Sequence, residues 1–153
     1  MPSRTATRRV LAARIATLVM LAALASGACA TGEKITLSSG PFGLPAAAVS
    51  VDWVLLNAAA EAQTVTVTVY KAGAGPKTAL VPGPVTSTLA PGEVFHNANS
   101  VGATGPFVPG FYYEVVVETS SPKVLPGVHV WQDRANTVIP GTLIPAGSWV
   151  RIK

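Results

Sequence analysis

Glycine and proline punctuate this chain so often that no long helix fits between them. Twelve of its 13 prolines and 13 of its 14 glycines lie beyond residue 30, spaced between short β-branched runs rather than gathered in a low-complexity tract. A proline inside a helix costs about 3 kcal/mol, because it removes a backbone donor and its ring clashes with the preceding turn. The fold has to be made of short strands and turns.

The strands show in the alternation. In Gln63–Tyr70, Val65, Val67 and Val69 point one way and Thr64, Thr66 and Thr68 the other. This is period two with one apolar face, as in an antiparallel strand wetted on one side. Ala48–Asn57 alternates Val49, Val51, Trp53 and Leu55 against Ser50 and Asp52, and Val54 and Leu56 make its second face partly apolar, so it is expected to be more central. Asn57–Ala62 is expected to join these two strands as a hairpin loop or a short helical turn. Ala79–Leu89 is broken by prolines, which suits an edge. Pro91-Gly92 predicts a type II turn. Phe111–Thr119 places Phe111, Tyr113, Val115 and Val117 on one face and Glu114 and Glu118 on the other, and Val124–Asp133 adds a strand carrying Val128 and Val130. About seven short strands with turns every eight to twelve residues predict an all-β fold, an antiparallel β-sandwich.

The alternating strands, the Leu89-Ala-Pro-Gly-Glu93 turn and the strand that starts at Tyr112-Tyr113 resemble bacterial immunoglobulin-like or fibronectin-III-like modules over roughly residues 49–133. The paired cysteines of true immunoglobulin domains are missing, since Cys29 is the only cysteine. The resemblance implies an immunoglobulin-like sandwich that serves as a binding, spacer or adhesive unit, and no enzyme.

The formal net charge of +4 is carried by the N-terminus: Arg4, Arg8, Arg9 and Arg14 are four of the 11 basic residues, and without them seven bases face seven acids. The body therefore has no basic surface for nucleic acid. The basic stretch is followed by the uncharged apolar run Ile15–Ala25 and the small residues Ser26–Ala30. This order predicts a secretory signal peptide over residues 1–30, with an apolar run short of the roughly 20 residues of a membrane span. Ala28-Cys29-Ala30 offers a cleavage site that would release a chain starting at Thr31. Ser26–Cys29 alternatively resembles a lipobox, which would put a lipid on Cys29 and make that lipid, with the signal peptide, the only membrane attachment. Residues 31–153 then form a single sandwich domain, exported to the cell envelope or beyond and without an internal disulfide.

Chemistry is sparse in this body. There is no Gly-x-Ser-x-Gly elbow and no Cys/His cluster of zinc spacing, and Gly73–Lys77 lacks the phosphate-loop pattern. His96 and His129 would need Asp52, Glu93 or Asp133 beside them to approach a metal ligand set, so no metal and no cofactor is expected. Glu114 and Glu118 sit about 13 Å apart along one strand face, beyond the roughly 5–9.5 Å of a glycosidase pair. They are expected to be solvated charges that discourage edge pairing. The candidate binding face comes from inward-pointing Val128 and Val130, which leave His129, Trp131 and Asp133 in a row about 7 Å apart on the outer face. Tyr112, turned away from Tyr113, is a further surface aromatic. A tryptophan flanked by polar groups suits a cell-surface glycan or a protein side chain. If the tail, residues 138–149, folds back over this face, Trp131 is buried instead. A second functional reading makes the chain a secreted inhibitor that presents the proline-flanked loop 103–110 to a protease.

Overall fold

A computed structural model describes residues 33–80, 83–102, 105–132 and 137–153. The expected signal peptide, its two expected processing sites and Cys29 lie outside the described residues, and so does Asp133. The strands are β1 (Ile35–Ser38), β2 (Phe42–Gly43), β3 (Ser50–Asn57), β4 (Gln63–Ala72), β5 (Thr78–Ala79), β6 (Val85–Leu89), β7 (Val94–Ser100), β8 (Tyr112–Thr119), β9 (Val124–Trp131) and β10 (Val150–Arg151). Seven of these span four residues or more, and β2, β5 and β10 are two-residue additions along sheet margins.

The strands form two antiparallel sheets. One runs β10-β1-β8-β4-β5, with β2 also on β8 and β6 on β4; the other runs β7-β3-β9. A single core joins their facing sides: Val51, Trp53, Leu55, Val128 and Val130 from the three-stranded sheet meet Val65, Val67, Tyr113, Val115 and Val117 from the larger one. The fold is thus the expected antiparallel β-sandwich. The period-two pattern of β4 delivers Val65 and Val67 to the core, while Thr64 and Thr66 face outward and meet Thr88 and Thr86 of β6 across the strand pair. The partly apolar second face of β3 fits its central position, flanked by β7 on one side and β9 on the other. β5 and β6 lie end to end along β4, at the sheet edge where proline is tolerated. Gly92 has φ +76 and Glu93 N donates to Ala90 O, which is the type II turn at Pro91-Gly92.

Three expectations change. Residues 57–62 do not close a hairpin, because β3 and β4 belong to different sheets and this segment crosses between them. β8 is an interior strand between β1 and β4, so Glu114 and Glu118 protect no edge. Each is paired instead: Lys77 Nζ lies 2.6 Å from Glu114 Oε2, and Lys34 Nζ 2.7 Å from Glu118 Oε2. Phe111 precedes β8 and is 41% exposed beneath the Lys71 ammonium, which sits 3.5 Å from its ring centroid. The core position assigned to it is filled by Phe107, whose ring lies 4.8 Å from that of Tyr113.

Burial pushes the Glu114 carboxyl up, but hydrogen bonds from Lys77 and Ser38, with the lysine's charge, outweigh it and hold the group below its ordinary value. A depressed folded pKa adds stability above the unfolded pKa, and that stability is lost as pH falls through the folded value. Glu114→Gln is therefore expected to lower stability at neutral pH and to cost less near pH 3, where the unfolded chain's glutamates are largely protonated. Urea midpoints of both proteins at the two pH values check this; an equal gap at both would assign the effect to packing.

Candidate functional site

Antiparallel register fixes which side chains share the outer face of the three-stranded sheet. Ser50 stands opposite Trp131 and Ser100, Asp52 opposite His129 and Ala98, and Val54 opposite Gly127 and His96. Since Val51, Trp53, Val128 and Val130 are spent on the core, their alternates have to face outward. The face has a polar centre with an aromatic flank.

Asp52 is that centre. It is 7% exposed, and a carboxylate so buried needs donors. Its Oδ2 accepts from Trp131 Nε1 at 2.6 Å and lies 3.2 Å from His96 Nε2, while its Oδ1 accepts from Ser50 Oγ at 3.0 Å. An ionised carboxylate only accepts, so the hydrogen on His96 is assigned to Nε2. The short indole bond fixes the Trp131 ring, which stays half-buried. His129 packs edge-on against it, with ring centroids 5.6 Å apart.

The tail does not fold over this face. It runs beside β9 in the plane of the sheet: Val128 and Ile144 exchange backbone hydrogen bonds at 3.0 and 3.1 Å, and Ile139 N donates to Val130 O at 2.9 Å. Ile139, Ile144 and Trp149 turn toward the core, and Trp149 Nε1 is buried there without a hydrogen-bond partner among the described residues. Pairing along the edge satisfies the backbone of β9, which covering its outer face would not do.

Of the four residues predicted to form a binding face, His129 and Trp131 come together. Tyr112 does not join them: it is 60% exposed on β8 of the other sheet, stacked near Gly43, and belongs with Phe111 to a separate aromatic patch. Asp52 and His96 complete the face. Their types were visible in the sequence, but the register that brings them to Trp131 was not. The chemistry of the cluster is that of a fixed, partly polar contact surface. Ser50 and His96 both serve Asp52, so the serine hydroxyl is not held by a histidine base. Among the described residues no group of three or more His, Cys, Asp and Glu is placed to hold a metal ion. In the loop suspected of protease binding, Phe107 is buried and Val108 is tied to Tyr113, its N–H donating to the tyrosine oxygen at 2.7 Å.

Comparison of the chain with protein-family models, with curated proteins and with solved structures finds no match.

Proposed function

We propose that this chain is an exported, non-enzymatic module of immunoglobulin-like kind that binds a glycan at the cell envelope through the outer face of its three-stranded sheet. The observation that carries this reading is the half-buried Trp131 ring, pinned by its N–H to buried Asp52. A flat ring held in place binds a sugar or side chain at little entropic cost, and His96 and His129 offer polar groups around it.

The immunoglobulin-like reading is supported by Tyr113. Its hydroxyl bonds both N and O of Val108, five residues upstream, in the manner of the tyrosine corner of such sandwiches. The strand order departs from that family: β9 leaves the sheet of β8 and pairs with β3, whereas the last two immunoglobulin strands share a sheet. The kinship proposed extends to the two-sheet architecture and the corner.

Purified protein should be retained on insoluble cell-wall glycan, and Trp131→Ala should reduce that retention at least tenfold, a loss of about 1.4 kcal/mol or more in binding. The substitution also removes one donor from Asp52, so a stability loss of about 1–2 kcal/mol is expected beside it. Trp131→Phe separates the two effects, because it keeps a ring for stacking and loses the same donor. Trp131→Phe should remove part of the iodide quenching of the parent's tryptophan fluorescence, the remainder coming from half-buried Trp149, since Trp53 is core. Equal retention of parent and Trp131→Ala would dismiss the face.

A further inference from the structure

Strand β7 has one neighbour among the described strands, β3. Asn57 N donates to Glu93 O, and Val101 N donates to Val49 O, so the odd-numbered residues of this stretch direct their backbone groups at β3. By the alternation of an antiparallel ladder, Val94, His96 and Ala98 direct theirs away from it, and no described strand pairs with that side. At the far end the edge is closed: Gly102 N donates to Phe107 O, and a side chain at Gly105 would collide with Ser100 O. The open stretch is thus Val94–Ala98. It contains no Asp, Glu, Lys, Arg or Pro, the usual means by which a free edge is guarded.

Beneath this edge the sandwich is open. A cleft of about 70 Å³ lies between β7 and the β5–β6 margin of the other sheet. Trp53, Val67, Val69 and Phe107 form its apolar floor, and Asn97 and Asn99 line its rim. Both asparagines are half-buried, and their carboxamides have no hydrogen-bond partner among the described residues. Among the described residues no charged side chain lines the cleft.

We propose that β7 is a strand-addition site for an uncharged extended peptide segment of a partner protein, which pairs antiparallel with Val94–Ala98 and places one aliphatic side chain in the cleft. The backbone edge supplies affinity, and the cleft selects the side chain. The lining decides between occupants. A charged segment would lose its hydration against uncharged walls with no counter-charge. A second copy pairing β7 with β7 would bring Phe95, Asn97 or Asn99 to the cleft: a carboxamide wastes the apolar floor, and a phenyl ring overfills so small a space. A valine- or leucine-sized group fits both volume and polarity. The rim carboxamides can then bond to the added strand's flanking groups. The two sites meet at His96, whose side chain belongs to the Trp131 face and whose backbone lies on the β7 edge, while the cleft lies on the core side of the sheet.

The test uses four capped hexapeptides of alternating composition, with threonine at every second position and valine, leucine, asparagine or lysine at the others. Titrated into the isotope-labelled protein, the valine and leucine peptides should shift the amide signals of Val94, His96 and Ala98, and bind at least tenfold more tightly than the lysine peptide. Ala98→Pro removes one outward N–H and leaves the pairing with β3 intact, as proline on an edge permits. It should weaken peptide binding at least tenfold with the thermal midpoint nearly unchanged. The proposal is overturned if no peptide shifts the β7 amides, if the lysine or asparagine peptide binds as well as the aliphatic ones, or if Ala98→Pro binds like the parent. It is equally overturned if the same amides shift with protein concentration alone and light scattering reports a dimer, which would give the edge to a second copy.

Discussion

Trp53→Ala is expected to lower the unfolding free energy by about 3–5 kcal/mol, the range for removing a large aromatic from a packed core. Trp53 is 2% exposed at the centre of β3 and meets Phe95 edge-to-face, with ring centroids 5.3 Å apart. Its ring also forms part of the floor of the cleft under β7, against Val67 and Phe107. Truncation would join the vacated volume to that cleft, and water entering a site with so few polar partners regains little of the loss. Small domains are stable by only about 5–15 kcal/mol, so this single change takes a large share of the total. In urea, with an m-value near 2 kcal/mol/M, the midpoint should fall by about 2 M. Trp53→Phe, which keeps an aromatic partner for Phe95, should fall less. A Trp53→Ala protein with an unshifted midpoint would mean that Trp53 lies on the surface and that β3 is out of register by one residue.

The expectation for Trp53 comes directly from alternation, and the same holds for β4, β8 and β9. In each, valines or aromatics at every second position mark the buried face, and the pattern is strong because one face must leave water. Strand β7 was not legible. His96-Asn97-Ala98-Asn99-Ser100 has low strand propensity and no apolar alternation. It is extended because β3 pairs with it along seven residues, a tertiary cause that the local sequence does not encode. The candidate site was half legible for the same reason. His129 and Trp131 sit two apart on one strand, a local relation. Asp52 reaches Trp131 across 79 positions and His96 across 44, through registers set by the pairing of three strands. The crossing between the sheets at residues 57–62 was misread because a short alanine-rich connection after a strand fits a hairpin and a crossing equally well. What decides between them is whether the next strand's apolar face completes the same sheet or the opposite one.

That crossing is held by one side chain, and its removal should have the second largest effect. Asn57 is 0% exposed. Its Nδ2 donates toward Glu61 O at 2.9 Å, Leu89 O at 2.9 Å and Ala90 O at 3.1 Å, and its Oδ1 accepts from Ala59 N at 3.0 Å. Its backbone binds the neighbouring turn as well: Gly92 N donates to Asn57 O at 2.8 Å, and Asn57 N donates to Glu93 O at 3.0 Å. The passage from β3 to β4 and the passage from β6 to β7 therefore meet at this residue, and both cross from one sheet to the other. Asn57→Ala strands the carbonyl of Leu89 in a buried setting and loosens three more backbone groups. At about 1–3 kcal/mol for each buried group left unpaired, a total loss of about 2–4 kcal/mol is expected once the partly wet partners have been rehydrated. Asn57→Asp distinguishes hydrogen bonding from volume. The shapes match, but an ionised carboxylate donates nothing and would face three carbonyl oxygens. It should cost at least as much as alanine at neutral pH. In acid the protonated group regains one donor, so its folded pKa should be raised and the aspartate variant should gain stability relative to Asn57→Ala as pH falls. Urea midpoints of the two variants at neutral and acid pH measure this. Parallel pH profiles would show that Asn57 fills space at the corner without tying it.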